Sequence, residues 1–109
     1  MSTKVMILSA VVALASVSAL KAQQPADSAA AIYAKSCAMC HGPKGTPKAT
    51  MAGQMTDFAN TQAMATVADS VMRRILSDGR GRLMPAFKAR LTPEQISALV
   101  RYIRTFSRH

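Results

Sequence analysis

The sequence contains few of the residues on which several common kinds of site depend. Of its 109 residues two are cysteines, none is tryptophan, and only five are phenylalanine or tyrosine. Because Cys37 and Cys40 are the only cysteines, no second C-x-x-C pair exists to complete a zinc tetrahedron. The few aromatic residues and the lack of a nucleic-acid-binding motif argue against a nucleic-acid partner.

Long apolar runs are also scarce. The one apolar stretch of note, residues 5–20, is shorter than the roughly 20 residues that a membrane-spanning helix needs. It lies between Lys4 and Lys21, which is the arrangement of an export signal. We therefore predict a signal peptide over residues 1–22, cleaved after Ala19 or Ala22, and no stable membrane insertion afterwards. One small domain then covers residues 23–109, and an uncleaved N-terminal anchor is the alternative.

Acidic residues are greatly outnumbered by basic ones. The chain has 14 lysines and arginines against five acidic residues, a formal net charge of +9. Without Lys4 and Lys21, 12 basic residues remain against the same five acids, so the mature domain stays basic. A charge of this sign attracts acidic surfaces, and we expect protein partners that are acidic where they make contact.

The strongest positive signal is the pattern C-x-x-C-H at residues 37–41, whose spacing is typical of covalent c-type haem attachment. In that chemistry two thiols add to the porphyrin vinyl groups and the imidazole binds the iron. On a helical turn the side chains of Cys37, Cys40 and His41 share one face. We interpret the motif as the attachment site of one haem c. A redox dithiol, half a zinc site or a structural disulfide are the alternatives, and no βαβ pattern supports the first.

Hydrophobic periodicity predicts helices and no convincing strand, hence an all-α domain. The helices are predicted from Asp27 or Ser28 to about Cys40, from Thr66 to Ser77, and from Thr92 to about Phe106. The last has the strongest start signal, with Pro93 and Gln95 after the cap residue. Residues 42–56 and 79–91 are predicted loops. The first is expected to wrap the haem and to offer a backbone carbonyl to the His41 nitrogen that is not on iron.

The second iron ligand decides what the haem can do. Five of the eight methionines are assigned to the signal peptide, to the space between the cysteines or to packing, namely Met1, Met6, Met39, Met64 and Met72. Of the others, Met84 precedes Pro85, which imposes an extended backbone from which the thioether can reach inward. We predict Met84 as the ligand, in preference to Met51 and Met55, which follow His41 too closely to reach the other haem face easily.

With these motifs the sequence resembles the small soluble c-type cytochromes of the cytochrome c superfamily over residues 28–106. The resemblance implies a helical domain wrapped around one covalently bound haem, whose iron is held by His41 and Met84. It also implies that the first and last helices cross, with Ala29 and Tyr33 packed against Tyr102.

The sequence departs from this family near the haem propionates. Many bacterial relatives carry an aromatic residue there, often tryptophan, where this chain has Met64 or its neighbours. Arg80 and Arg82 precede the predicted methionine ligand and either pair with the propionates or face solvent, of which facing solvent is the preferred interpretation.

The sequence thus predicts an exported monohaem electron carrier of the bacterial periplasm that is not an enzyme, because both axial positions are filled. Six basic residues flank the ligand segments and are expected to steer acidic redox partners. We call them the basic collar: Lys35, Lys44, Lys48, Arg80, Lys88 and Arg90. Scattered solubilising charge is the alternative for each. Other possible functions are a small haem subunit of a larger oxidoreductase complex, a haem sensor or enzyme with a displaceable sixth ligand, and a dithiol module without haem.

Overall fold

The structure is a computed structural model that describes residues 28–108. The predicted signal peptide and the candidate cap residue Asp27 lie outside these residues. Within residues 28–108 no helix combines the length and the apolar character that crossing a membrane requires.

The described part of the chain is helical, as the sequence predicted. Its helices are α1 (Ala29–Ser36), α2 (Ala38–His41), α3 (Thr61–Ala65), α4 (Asp69–Asp78) and α5 (Pro93–Arg104), the last followed by a 3-10 turn over Thr105–Ser107. The only strand-like feature in residues 28–108 is an isolated antiparallel bridge between Arg80 and Met84. The all-α prediction is therefore confirmed.

The first predicted helix is divided in two at the haem motif. The Ser28 hydroxyl caps α1 by accepting a hydrogen bond from the amide of Ala31 at 3.2 Å, as the sequence indicated. At Cys37 the backbone leaves helical geometry, with φ −121°, and α2 then carries the rest of the motif. The amides of Cys40 and His41 donate to the Cys37 carbonyl at 3.2 and 2.9 Å, so one tight turn holds the three motif residues.

The predicted start of the middle helix at Thr66 is wrong. The Thr66 hydroxyl instead donates to the Ala63 carbonyl at 2.9 Å and closes α3, while α4 begins after Ala68 with no side-chain cap. The sequence did not reveal α3, because a helix of five residues is too short to display a hydrophobic period. Its own cap is Asn60, whose side chain accepts from the Ala63 amide at 3.0 Å.

The capping box of α5 is confirmed in full. The Thr92 hydroxyl accepts from the Gln95 amide at 3.1 Å, and the Gln95 side chain accepts from the Thr92 amide at 2.8 Å. The apolar face of α5 supplies two of the three most buried residues of the core, Leu99 and Val100, and α1 supplies the third, Tyr33. Since a capping box satisfies otherwise unpaired amides, the helix starts at a defined residue and presents this face reproducibly.

The first and last helices pack together through aromatic side chains. The Tyr33 ring lies 5.5 Å from that of Tyr102 and 5.0 Å from that of Phe106, both tilted. Tilted aromatic pairs at these distances are favourable beyond their buried area. The contact between Tyr33 and Tyr102 agrees with the family resemblance.

Arg104 ties α5 to the connection between α3 and α4. Its Nε donates to Asp69 at 2.9 Å and its Nη1 to the Met64 carbonyl at 2.6 Å, while Nη2 donates to the Val67 carbonyl. Charge-assisted bonds from one planar guanidinium fix orientation as well as distance. No local sequence pattern indicated this bracing role of Arg104.

Candidate haem site

A cavity of about 610 Å³ opens among α2, α4 and the loops that follow them. Its volume falls within the range of roughly 300–1,000 Å³ that is usual for small-molecule and cofactor sites. Most of the side chains that form its wall are apolar, and they include Phe58, Val67, Ile75, Leu76, Phe87 and Ile103. The wall therefore suits a large, flat and mainly apolar molecule.

The four residues predicted to bind the haem all line this one cavity: Cys37, Cys40, His41 and Met84. Both thiols are free, with Cys37 buried and Cys40 exposed. Burial raises the pKa of the Cys37 thiol to about 11. A redox-active dithiol needs a thiolate with a lowered pKa, so this environment argues against the dithiol alternative.

The His41 imidazole is held against an aromatic ring. It stacks on Phe58 with the ring centroids 4.6 Å apart and an angle of 16° between the planes. Burial lowers the pKa of His41, which favours the neutral imidazole that can bind a metal. Its Nδ1 is buried and has no hydrogen-bond partner in the described part of the chain. The loop carbonyl that the sequence predicted for this nitrogen is therefore not in place among residues 28–108.

Tyr33 fixes the backbone directly after His41. Its hydroxyl donates to the Gly42 carbonyl at 2.7 Å in a buried environment. Burial, more than any charged neighbour, raises the pKa of Tyr33 above its ordinary range, so the hydroxyl remains a donor. The resemblance gave Tyr33 a packing role only, and this hydrogen bond adds a direct link from α1 to the ligand turn.

Backbone hydrogen bonds hold the segment that carries Met84 against the end of α4. The amide of Arg80 donates to the Met84 carbonyl at 2.9 Å, and the Met84 amide donates to the Arg80 carbonyl at 3.3 Å. Just before this pair, Gly79 adopts φ 77°, and a Cβ there would lie 2.7 Å from the Met84 carbonyl oxygen. The amide of Phe87 then returns to the Leu76 carbonyl at 2.9 Å. Backbone contacts on both sides thus hold Met84 beside the cavity.

Three other methionines also line the cavity. Met64 and Met72 are 2% and 7% exposed and belong to the core, which agrees with the packing role predicted for them. Met55 is half-buried in the turn that follows Met51. Met55 is therefore the structural competitor of Met84 for the iron, and the ligand assignment stays a prediction.

The cavity rim has two further features. Arg80 and Arg82 line the cavity while remaining exposed. Beside the ligand segments, Met39 and Leu83 are the large apolar side chains that stand out into solvent, with 83% and 63% of their surface exposed. A single sequence gives the period of an element but not which loop side chains face solvent, so no local pattern marked Met39 or Leu83 as exposed.

The donor set and the walls together fit a covalently bound haem. Two free thiols and a neutral imidazole lie on one turn, a thioether lies on a separate segment, and apolar side chains form the walls between them. This set is what thioether attachment and axial ligation of the iron require. Within residues 28–108 no group of three or more His, Cys, Asp or Glu side chains is arranged to hold a bare metal ion.

Comparisons with known proteins agree with this chemistry. Residues 24–103 match the family Cytochrome_CBB3, described as "Cytochrome C oxidase, cbb3-type, subunit III". The cbb3-type cytochrome c oxidase subunit FixP of Azorhizobium caulinodans is 33% identical over 97 residues, 82% of this chain and 31% of its own length. The subunit CcoP of Rubrivivax gelatinosus is 33% identical over 72 residues, 65% of this chain and 23% of its own length. The chain thus spans less than a third of these curated relatives.

A solved structure gives the same answer for the fold. The KustC0563 c-type cytochrome superposes with a TM-score of 0.68 and 30% sequence identity, covering 74% of this chain and 99% of that one. The chain therefore belongs to the c-type cytochromes, within the family described as subunit III of cbb3-type cytochrome c oxidase, and its cofactor is covalently bound haem c with its iron.

Proposed function

We propose that this chain is a haem-bearing electron-transfer unit of a larger oxidoreductase complex, for which an oxidase of the cbb3 type is the leading candidate. The sequence alone favoured a freely diffusing carrier, with a subunit of a larger complex as the alternative. Its main support is that FixP and CcoP, both named as oxidase subunits, match most of this chain.

The observation that carries the electron-transfer part is the meeting of the C-x-x-C-H residues and Met84 at one cavity. When bound, the haem supplies a one-electron couple between ferrous and ferric iron. Cys37 and Cys40 would hold it covalently, and the neutral imidazole of His41 would bind the iron. The apolar walls exclude water and so favour a fixed, dry environment in which the charge changes with little rearrangement.

We further propose that the protein has no substrate site of its own. His41 and Met84 would fill both axial positions of the iron, so that nothing remains open for a small molecule to bind and react. The apparent alternative, a sensor or enzyme with a displaceable ligand, would require a methionine that leaves the iron easily. The backbone hydrogen bonds on both sides of Met84 argue for a firmly held ligand instead.

The partner surface in this proposal surrounds the two ligand segments. Met39 and Leu83 present apolar area, and all six residues of the basic collar are exposed. An apolar centre with a charged rim is the usual anatomy of a protein interface. The matching partner is a redox protein or complex subunit with a small apolar patch among acidic residues. If the signal peptide is cleaved as predicted, contact takes place on the periplasmic side of the bacterial membrane.

Fractionation of the source cells tests the proposal directly. Membranes and periplasmic extract are separated, and the chain is followed by haem staining on denaturing gels. We expect the stained band to copurify with a detergent-solubilised oxidase, and the oxidase from a strain lacking this chain to accept electrons more slowly. The absorption spectrum and pyridine haemochrome of the same band should identify haem c. A haem-free band, or a complex of unchanged composition and rate in the deletion strain, would contradict it.

A freely diffusing carrier is the second candidate. Its specific support is the KustC0563 c-type cytochrome, a chain that is covered almost entirely by this single domain. In that case the stained protein would appear in the periplasmic extract at the mass of a single mature chain.

A further inference from the structure

The charged groups that line the haem cavity are all of one sign. Among residues 28–108, Arg80 and Arg82 are the only wall residues with a side chain that is charged at neutral pH, since burial keeps His41 in the neutral form. No aspartate or glutamate of this part of the chain belongs to the wall. A cofactor with two carboxylates therefore meets an opening that holds two guanidinium groups.

Neither arginine has a counter-ion within the described part of the chain. The ion pairs found there join Lys88 to Asp78 at 3.4 Å and Arg104 to Asp69 at 2.9 Å. The remaining acids are also placed elsewhere, because Asp57 accepts hydrogen bonds from Thr46 and Ala59. Glu94 lies in the first turn of α5. The two guanidinium groups at the cavity are thus free to pair with a bound molecule.

The backbone holds this arginine pair beside the opening. Arg80 exchanges two backbone hydrogen bonds with Met84, and Arg82 lies in the turn that these bonds close. We propose that Arg80 and Arg82 bind the haem propionates, which was the alternative to the solvent-facing interpretation preferred from the sequence. The inference rests on the haem being attached at Cys37, Cys40 and His41, as in the proposed function.

Physical chemistry favours this assignment over solvation alone. A carboxylate beside an apolar wall loses hydration, and a paired cation offsets that loss. Arginine suits the task because its planar fork can donate two parallel hydrogen bonds to one carboxylate. The chain contains no tryptophan that might supply an indole N–H in its place. The two arginines thus provide the propionate contacts that the missing aromatic residue left unassigned.

The test compares the reduction potentials of holoprotein variants. Arg80→Gln and Arg82→Gln remove one cation each, and Arg80→Lys keeps the charge but loses the fork. The matched control is Arg73→Gln, which removes an exposed cation of α4 that does not line the cavity. Potentials are measured by spectroelectrochemical titration at low and high salt. Redox-induced infrared difference spectra of the same samples report the carboxylate bands of the propionates.

An uncompensated propionate stabilises ferric iron, so each Gln variant should have a lower potential. We expect the ferrous–ferric equilibrium to move roughly threefold toward ferric haem. That shift should persist at high salt and be accompanied by moved carboxylate bands. Arg80→Lys should keep most of the wild-type potential, because it keeps the charge. The reduction potential of Arg73→Gln should shift less, and this shift should vanish at high salt, since exposed charges are screened.

Several outcomes would overturn the inference. Three results would show that both arginines face solvent and do not pair with the propionates. They are potential shifts in the Gln variants no larger than that of Arg73→Gln, potential shifts that disappear at high salt, and carboxylate bands that do not move. An Arg80→Lys variant with the same shift as Arg80→Gln also rejects charge pairing. If the wild-type protein carries no covalent haem, the proposed function fails instead, and the gel stain identifies that case before any potential is measured.

Discussion

At the scale of single residues, the predicted ligand Met84 would decide whether the iron is closed or open to small molecules. Its thioether is a soft neutral donor that favours ferrous iron. The variant Met84→Ala should keep its covalent haem but have a lower reduction potential. It should also lose the long-wavelength sulfur-to-iron band of the ferric state and bind carbon monoxide when reduced. Absorption spectra and a potentiometric titration measure all of these properties.

Met55 provides the matched control, because it lines the same cavity and is also half-buried. The variant Met55→Ala should retain the band, the potential and the resistance to carbon monoxide. If Met55→Ala opens the iron and Met84→Ala does not, the assignment is reversed. A wild-type protein that already binds carbon monoxide would reject the closed electron carrier.

The Tyr33 hydroxyl is the second residue whose removal has a defined consequence. In Tyr33→Phe the buried Gly42 carbonyl loses the Tyr33 hydroxyl and keeps only the Gly45 amide, which donates to it at 3.2 Å, so the free energy of unfolding should fall by about 0.5–1.5 kcal/mol. Urea unfolding of the holoprotein at neutral pH measures this loss. Tyr102→Phe is the control, since Tyr102 is only half-buried and its ring packs beside that of Tyr33, and it should cost much less. Equal losses would show that the bond to Gly42 contributes little.

The same variant should differ from the wild type in its response to alkaline pH. Burial raises the pKa of Tyr33 above its ordinary value of about 10. The folded state therefore holds this proton more tightly than the unfolded state does. The resulting stabilisation is complete below about pH 10 and is lost as the pH rises through the higher pKa of the folded state. The stability difference between wild type and Tyr33→Phe should narrow over that range, and a constant difference would contradict the role of burial.

The residues whose roles the sequence revealed lie close together in the chain, whereas the roles that it did not reveal depend on contacts between distant positions. Cys37, Cys40 and His41 were readable because covalent attachment demands their spacing within five positions. The contacts of Arg104 with Met64 and Val67 join residues about forty positions apart and leave no local pattern. Their partners are backbone carbonyls, which have no residue-specific signature in a sequence.

At the scale of elements, the turn between α4 and the Met84 segment is the most constrained connection near the cavity. In Gly79→Ala the new Cβ would approach the Met84 carbonyl oxygen to 2.7 Å at a backbone φ of 77°. Two penalties therefore combine, a strained backbone and a displaced Met84 segment. We expect a weakened sulfur-to-iron band and faster binding of carbon monoxide to the reduced protein, both measured by absorption spectroscopy.

Gly81→Ala separates these two penalties. Gly81 also has a positive φ, of 59°, but a Cβ there meets no atom within 4 Å. The variant should lose roughly 1 kcal/mol of stability through backbone strain while leaving the spectrum unchanged. If both alanine variants alter the band equally, the close approach at Gly79 does not govern the position of Met84.

Elements were predictable where their signals were local. The start of α5 was predicted because Thr92, Pro93 and Gln95 form the whole capping signal within four positions. The start of α4 was predicted three residues early, since Thr66 is a good cap by type but closes the preceding helix α3. The break in the first helix at Cys37 was equally hidden, because the apolar period continues across it.

At the scale of the whole molecule, the sequence predicted the cofactor better than the assembly. Haem attachment requires the same motif in a free carrier and in a subunit, so residues 37–41 indicate the cofactor in both cases. The similarity to FixP and CcoP moved the balance toward a complex. Partner choice depends instead on the surface, where charge and exposed apolar area are spread over segments far apart in sequence.

Charge is the whole-molecule property most open to experiment. Residues 28–108 contain twelve basic and four acidic residues, and all members of the basic collar are exposed. Reversing Lys44 and Lys88 to Glu should slow reduction by an acidic redox partner at low salt, because fewer encounters are steered to the haem. This effect should become smaller as the salt concentration rises, since screening limits the distance over which exposed charges interact to about 10 Å at 0.1 M. Stopped-flow reduction over a range of ionic strengths measures both effects.

Lys44→Glu alone gives the cleaner measurement, because Lys88 also pairs with Asp78 at 3.4 Å and its reversal would set two carboxylates together. Arg101→Glu is the control, since it makes the same change of charge on the exposed side of α5, away from the cavity wall. If steering acts through the ligand segments, Lys44→Glu should slow reduction more than Arg101→Glu at low salt. Equal slowing would mean that partners respond only to net charge, and no slowing at any ionic strength would leave the collar as solubilising charge.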